Sequence, residues 1–215
     1  MIMTGFVASL ALSACGSGGP RQDASEPKGK FPVAVDSASF PSAQTLSQHA
    51  RLTIAVRNSG SKTIPNIAVT ICNVTCTYPA STAQGSAQAF SQDVNAKYLA
   101  NPSRPVWIVD QPPGVCGYSC ANGGQGAGVT AYTNTWALGP LKPGKTANFA
   151  WKVTAVSPGR HVVAWEVAAG LNGRARAVVS GGGTPHGTFS VDISSKPARN
   201  YVNNSGQIVS GSGQP

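Results

Sequence analysis

Residues 135–179 read TWALGPLKPGKTANFAWKVTAVSPGRHVVAWEVAAGLNGRARAVV, and the prediction of the fold starts from them. It contains three segments in which apolar and polar residues alternate, and the apolar positions are Phe149/Trp151/Val153, Val163/Trp165/Val167 and Ala175/Ala177/Val179. Because a period of two places alternate side chains on one face of a strand, each segment predicts a β-strand with one buried face. Turn signals separate the segments at Ser157-Pro158-Gly159 and Asn172-Gly173. The stretch therefore predicts an antiparallel meander with two tryptophans in the core.

The composition extends this prediction to the whole chain. Of the 215 residues, 41% are hydrophobic, 25 are glycine and 16 are proline. No window of about a dozen residues combines apolar positions at helical spacing with a helix cap. A chain of this length can bury a substantial core, so we expect a single all-β domain.

The charge indicates which kinds of molecule the protein meets. The formal net charge is +9, but lysine and arginine are scattered singly between Arg21 and Arg199. Basic runs with interleaved aromatic residues, which bind nucleic acids, are missing, so we expect no nucleic-acid partner. The charge is either a solvated basic surface or a source of attraction to anionic envelope polymers and lipid headgroups.

The N-terminal residues predict export. Residues 1–14, MIMTGFVASLALSA, are apolar, end in small residues and are too short for a permanent transmembrane helix, as in a signal peptide. The sequence Leu12-Ser13-Ala14-Cys15 resembles the lipobox of bacterial lipoproteins, in which the cysteine is lipidated and becomes the new N-terminus. The resemblance implies that Cys15 anchors the protein to the cell membrane on its extracytoplasmic side. An ordinary secretory signal is the alternative.

The domain boundaries follow from where the alternation starts and stops. Residues 15–30 comprise the lipidated cysteine and a polar stretch without periodicity, which predicts a flexible tether. The folded domain is expected over residues 31–193, followed by a polar, disordered tail over residues 194–215. Residues 31–40 predict an edge strand, where Pro32 need not donate to a ladder.

Three further segments predict the remaining strands. Residues 51–57 alternate cleanly, with Arg51 and Arg57 outward, and predict a half-buried antiparallel strand. Residues 67–71 predict its partner strand, and residues 188–193 predict the last strand of the domain.

A long insertion interrupts the pattern over residues 73–133, which are rich in serine, alanine, glutamine, glycine and proline. We expect a loop excursion from one end of a sandwich with one strand at residues 106–110, because such long unpatterned loops are usually functional or disordered. Trp107 and Arg104 form a candidate contact surface for a sugar or peptide. Alternatively, Trp107 plugs the insertion onto the sandwich, since large aromatic side chains are usually buried.

Four cysteines beside Cys15 form two C-x-x-x-C pairs, Cys72/Cys76 and Cys116/Cys120. In an exported protein they predict two disulfide bonds, and a four-thiolate zinc site is the alternative that the compartment disfavours. We therefore expect no metal. Bridges between the pairs, Cys72 with Cys120 and Cys76 with Cys116, would staple the insertion to a strand end, and pairing within each C-x-x-x-C stays open.

The sequence contains no recognised catalytic motif. Residues 139–146 match the phosphate-loop pattern GxxxxGK[ST], but Pro140 and Pro143 remove backbone donors and the residues that follow predict a strand, so we expect no nucleotide. The three histidines, His49, His161 and His186, belong to no motif. We expect no enzyme and no cofactor; a spatial cluster of Asp93, Asp110 and a histidine would instead favour an envelope hydrolase.

Two strand-end motifs carry a family resemblance. They are x-V-x-N-x-G at residues 56–60 and L-x-P-G-x-x-x-x-F-x-W-x-V at residues 141–153. With these motifs, residues 44–71 and 138–163 resemble the bacterial immunoglobulin-like domains related to cell adhesion, the CARDB type, and the conserved-repeat domains near them. The resemblance implies an extracellular immunoglobulin-like antiparallel β-sandwich of about seven strands, without catalytic residues to carry over.

These observations lead to two functional hypotheses. The first is a non-catalytic, monomeric, membrane-anchored adhesion or scaffold module that binds an envelope protein or an anionic cell-wall polymer. The second is a lipoprotein that binds a small ligand or carbohydrate for transport, which predicts a concave pocket.

Overall fold

The computed structural model describes residues 23–76, 89–91, 105–114, 134–197, 199–202, 205–206 and 208–211. The predicted signal peptide and several predicted functional residues lie outside the described residues, namely Cys15, Asp93, Arg104, Cys116 and Cys120. No helix in the described part of the chain is long and apolar enough to cross a membrane.

The described residues form thirteen strands: β1 (Gly29–Ser39), β2 (Ala43–Leu46), β3 (His49–Asn58), β4 (Ala68–Asn73), β5 (Phe90–Ser91), β6 (Trp107–Gln111), β7 (Thr135–Ala137), β8 (Thr146–Ala155), β9 (Gly159–Ala168), β10 (Ala175–Val178), β11 (His186–Pro197), β12 (Arg199–Val202) and β13 (Ile208–Gly211). One sheet has six strands in the order β10-β1-β3-β8-β6-β5, and a second has five in the order β2-β11-β9-β4-β7. Strands β12 and β13 pair only with each other. The predicted all-β, immunoglobulin-like sandwich is confirmed.

The core lies between the two sheets, where the alternating segments place their apolar positions. In β3 every second residue is buried, and the side chains of Leu52, Ile54 and Val56 have no exposed surface. The rings of Trp151 and Trp136 meet edge to face with their centroids 5.5 Å apart. Full burial of a leucine, isoleucine or valine side chain contributes about 1.5–3 kcal/mol to the free energy of folding, relative to leaving it exposed. The predicted buried faces are confirmed.

The predicted meander is wrong, because the three alternating segments, which form β8, β9 and β10, do not pair with one another. Strand β8 pairs with β3 and β6, β9 pairs with β4 and β11, and β10 pairs with β1. The chain therefore crosses from one sheet to the other after β8 and again after β9. A period of two predicts which face of a strand is buried but not which strand lies beside it. The buried faces of the two sheets point into the same core, so the pattern is the same in either sheet.

The same reason overturns one other predicted pairing. Strands β3 and β4 lie in different sheets, so residues 67–71 are not the partner of residues 51–57. The edge strand predicted at residues 31–40 agrees with β1 over Val33–Ser39, which pair with β3 alone among the described strands. It is wrong at the start of β1, where Gly29–Pro32 pair in parallel with the short strand β10. Pro32 sits at the last rung of that ladder. The sheets are mixed and not purely antiparallel, although seven strands of five or more residues match the expected number.

The predicted tether is wrong for residues 23–30. Glu26 is 5% exposed, and its carboxylate accepts hydrogen bonds from the backbone N–H groups of Leu171 (2.8 Å) and Asn172 (3.1 Å). The side chain of Asn172 donates to the carbonyl of Asp23. We call residues 23–28 the strap. Specific hydrogen bonds order this polar stretch, and they leave no periodic signature in the sequence.

The insertion and the tail contain more structure than predicted. Strand β6 agrees with the strand expected at residues 106–110, and β5 adds a second pairing segment to the six-stranded sheet. The tail expected at residues 194–215 starts inside β11 and continues into the β12–β13 hairpin. Part of the insertion is therefore integral to the sandwich.

The structure pairs Cys72 with Cys76, whose Cα atoms lie 5.2 Å apart. The favoured bridges from these two cysteines to Cys120 and Cys116 are therefore wrong, and local pairing within a C-x-x-x-C is observed. The physical reason is the turn after β4, where Val74 has a φ of +65° and brings the chain back on itself. The disulfide closes this turn instead of stapling two distant segments.

The sandwich has two distinct ends. The lower end, where β1 starts, carries the strap and the loops over residues 59–66, 139–145 and 169–174. The upper end, where β3 starts, carries the opposite loops, including residues 156–158 between β8 and β9. The register of β1, β3 and β8 fixes this arrangement.

Candidate functional site

The outer face of the six-stranded sheet carries an open groove in its upper half. The groove has a volume of about 580 Å³, and its lining includes His49, Arg51, Gln111, Asn148, Ala150 and Lys152. These residues come from β3, β6 and β8, at the outward positions of strands whose alternate residues fill the core. We call this surface the basic groove.

Two cations face each other across the basic groove. Arg51 and Lys152 occupy directly opposite positions of the antiparallel β3–β8 ladder, and both are exposed. Among the described residues, neither forms an ion pair with a carboxylate. On the other side of Lys152, Gln111 is its register partner in β6. Three polar side chains thus form one row across three strands.

Arg57, on the same face of β3 nearer the lower end, has a carboxylate partner. Its Nε lies 3.2 Å from both carboxylate oxygens of Asp36 in β1. Thr146 of β8 also donates to Asp36, at 3.4 Å. Arg57 is therefore neutralised within the sheet, whereas Arg51 is not.

A cluster of His49, Asp110 and Thr154 forms the upper rim of the basic groove. The Nδ1 atom of His49 lies 3.1 Å from Oδ2 of Asp110 and 2.9 Å from Oγ1 of Thr154. The Thr154 hydroxyl also lies 2.8 Å from Oδ2 of Asp110. Hydroxyl and carboxylate meet the same ring nitrogen, whereas a nucleophilic relay needs them on opposite nitrogens. The cluster orients His49 and does not activate Thr154.

The structure thus joins one predicted carboxylate to one predicted histidine. Asp110 and His49 are two members of the cluster that would favour an envelope hydrolase, and the third, Asp93, lies outside the described residues. The other histidines contact backbone carbonyls: His161 contacts Ser157 at 3.0 Å and His186 contacts Thr184 at 2.8 Å. Within the described ranges, no three metal-ligating side chains come together.

Trp107 is not a contact residue, which corrects that prediction. Its side chain is fully buried because its position in β6 faces the core, opposite Ala155 of β8. The indole Nε1 donates to Oε1 of Gln44 at 2.8 Å, and Gln44 belongs to the other sheet. The ring also packs against Phe40 at 5.3 Å. Trp107 therefore plugs the insertion onto the sandwich, as the alternative predicted.

The two strand-end motifs meet at the lower end. Asn58 is 1% exposed, and its side-chain amide donates to the carbonyls of Leu141 (2.8 Å) and Lys62 (2.9 Å). Its backbone N–H donates to the carbonyl of Lys145, and its carbonyl accepts from Gly144. The phosphate-loop match at residues 139–146 is therefore a turn bound to β3, and strand β8 follows it. Its role is structural.

The sequence held a partial signal for the basic groove. Arg51 is an outward residue of a clean alternation, and Lys152 sits between two inward residues, Trp151 and Val153. What the sequence could not give is the register that places Arg51 opposite Lys152. The alternation alone leaves the neighbours of β8 undetermined.

No protein-family model and no curated protein sequence matches the chain. Several solved structures are similar in fold. The chain is 13% identical to a CARDB domain of a Pyrococcus furiosus protein, solved with di-metal ions, with a TM-score of 0.39 over 77% of this chain and 96% of that one. It is 8% identical to a cohesin module of a Clostridium perfringens family 33 glycoside hydrolase, with a TM-score of 0.40 over 77% and 98%.

A third similarity is to Escherichia coli alpha-2-macroglobulin, at 14% identity and a TM-score of 0.37. It covers 79% of this chain but only 7% of the macroglobulin, so the chain corresponds to a small part of that protein. The CARDB type is the one that the strand-end motifs resemble. All three similarities concern the fold alone.

Proposed function

We propose that this protein is a non-catalytic binding module of the bacterial cell envelope, anchored by a lipid on Cys15, whose contact surface is the basic groove. The single observation that carries the proposal is the row of Arg51, Lys152 and Gln111 on the open face of a rigid sheet. Two cations without carboxylate partners among the described residues favour an anionic cell-wall polymer over a neutral partner. The net charge of +9 favours encounter with the same class of molecule.

The anchor rests on the lipobox resemblance at residues 12–15. The eight steps from Cys15 to Asp23 span at most about 28 Å when fully extended, which would hold the lower end of the sandwich near the lipid. Replacement of Cys15 by serine tests the anchor. We expect the protein to move from the membrane fraction to the soluble fraction and to lose the mass of its acyl chains; an unchanged mass would contradict it.

Binding is tested by co-sedimentation of the purified protein with isolated cell-wall material. Replacement of Ala150 by tryptophan fills the middle of the basic groove, and we expect it to abolish co-sedimentation. Ser190→Trp is the matched control, because Ser190 is exposed on the outer face of the other sheet. Equal binding by both variants would remove the basic groove from the proposal.

The volume of the groove also fits the second hypothesis, a small-ligand or carbohydrate-binding lipoprotein. A ligand that binds only the folded state raises the melting temperature, by a free energy that grows with its concentration over the dissociation constant. We expect no shift with neutral sugars, because the four tryptophans, Trp107, Trp136, Trp151 and Trp165, are buried and offer no stacking surface. A shift that Ala150→Trp abolishes would favour this second function.

A further inference from the structure

We propose that Arg51 and Lys152 bind the phosphate groups of an anionic envelope polymer. This inference deepens the proposed function by naming the ligand chemistry, and it rests on that function only for the source of the phosphate. The carrying observation is electrostatic: two cations stand directly opposite each other on neighbouring strands.

Directly opposed like charges destabilise a β-sheet, because their Cβ atoms lie about 5 Å apart. Arg57, on the same strand and the same face, avoids this by contacting Asp36 at 3.2 Å. At the upper rim, the carboxylate of Asp110 is engaged by His49 and Thr154. Lys30 and Arg176 form a second opposed pair of exposed cations, on β1 and β10. Arg51 and Lys152 differ from that pair because they line the open groove, where a bound anion would remove their repulsion.

The two cations differ in a way that suits a tetrahedral oxyanion. The guanidinium of Arg51 presents a planar fork for two oxygens, while the ammonium of Lys152 is a compact point charge that can approach a third. Gln111, the register partner of Lys152 in β6, brings an amide to the same row. Because Ala150 is small, the groove stays open beside the cations, so a polymer can continue past the bound phosphate.

The position of the basic groove in the fold favours a wall polymer over lipid headgroups. The strap, which leads to Cys15, lies at the lower end beside residues 171–172. Lys152 lies six residues along β8 from Thr146, which is about 20 Å towards the upper end. In a protein anchored through the strap, the groove therefore lies farther along the sandwich from the anchor than the lower end does.

The experiment is titration calorimetry of the detergent-solubilised full chain at low salt, with inorganic phosphate and a glycerol-phosphate oligomer as probes. We expect Arg51→Gln and Lys152→Gln each to weaken binding of the oligomer by about tenfold, the loss typical of one charge-assisted contact. Arg57→Gln, on the same strand, is the control and should change the affinity by less than about twofold, because Asp36 already neutralises Arg57.

Four results would overturn the inference. The first is that neither probe binds the wild-type chain, and the second is that Arg51→Gln and Lys152→Gln bind the oligomer as tightly as the wild type does. The third is tighter binding of polygalacturonate, a carboxylate polymer, than of the oligomer. The fourth is tighter binding of phosphatidylglycerol vesicles than of the oligomer. The wall assay separates this failure from that of the proposed function. If Ala150→Trp abolishes wall binding but the wild type binds no phosphate, the proposed function is supported and the phosphate site is not. If the wild type binds phosphate but not the wall, the phosphate site is supported and the proposed function is not.

Discussion

The two ends of the sandwich use their polar side chains in opposite ways. At the lower end, Glu26 and Asn58 are buried and spend their hydrogen-bonding capacity on backbone groups of neighbouring loops. In the upper half, Arg51 and Lys152 are exposed and face each other without a carboxylate partner in the described part of the chain. Buried polar groups with fixed partners stabilise a fold, whereas unneutralised exposed groups are available to a ligand. The lower end stabilises the domain, and the upper half carries the surface that we propose for binding.

The largest effect is expected from Glu26→Ala. The substitution leaves the N–H groups of Leu171 and Asn172 without their buried acceptor, and we expect a loss of about 3 kcal/mol in the free energy of unfolding. Urea denaturation measures it. Lys28→Gln, an exposed change in the same strap, is the control and should cost less than about 0.5 kcal/mol. Equal denaturation midpoints for the two variants would mean that the Glu26 carboxylate does not stabilise the lower end.

Asn58→Ala is expected to cost about 2 kcal/mol, because the carbonyls of Leu141 and Lys62 lose a buried donor. The matched control is Asn148→Ala on the exposed face of β8. Thermal unfolding of both variants measures the difference. A loss confined to Asn148→Ala would mean that the groove, and not the turn at residues 139–145, stabilises this part of the fold.

A smaller loss is expected from Gln44→Leu, which removes the acceptor of the Trp107 indole N–H. We expect about 1–2 kcal/mol, since the buried donor is left without a partner. Because Gln44 and Trp107 belong to different sheets, the cost measures how firmly the insertion is fixed to the sandwich. Gln44→Leu should cost less in a Trp107→Phe background than in the wild type, because the indole donor is then absent; equal costs in the two backgrounds would assign the loss to packing.

The smallest effect has the opposite sign. Lys152→Gln removes the cross-strand repulsion with Arg51, so we expect the free energy of unfolding to rise by about 0.5 kcal/mol at low salt. The gain should fade at high ionic strength, where exposed charges are screened. Arg57→Gln should instead lower stability slightly, because it removes an ion pair with Asp36. If Lys152→Gln lowers stability as Arg57→Gln does, Lys152 is not destabilised by repulsion from Arg51 in the basic groove.

The sequence predicted the faces of the strands well and their neighbours poorly. The alternating segments bury the side that their period of two indicates, as in β3, β8 and β9, although Phe189 and Val179 are only half-buried. The sheet to which each strand belongs could not be predicted, because a turn signal such as Asn172-Gly173 indicates that the chain reverses but not which sheet the next strand joins. Gly173 does have the positive φ expected there, at 75°.

The contacts of the candidate functional residues were also harder to predict than the faces of the strands. Trp107 was a candidate for exposure because the insertion around it lacks a pattern, yet its ring fills the core and closes one end of the six-stranded sheet. The Cys72–Cys76 bond and the contact of Glu26 with Leu171 depend on turns and distant loops. Such contacts have no periodicity, so only the folded arrangement reveals them.

The contact between Glu26 and Leu171 also constrains the order in which the chain folds. The two residues are 145 positions apart, and strand β1 likewise waits for β10 to complete its parallel ladder. Contacts of such long sequence separation form slowly, because the loop between them must close first. The strap can therefore lock only after residues 169–178 have taken their place. The N-terminal segment is the first to be synthesised and among the last to be fixed.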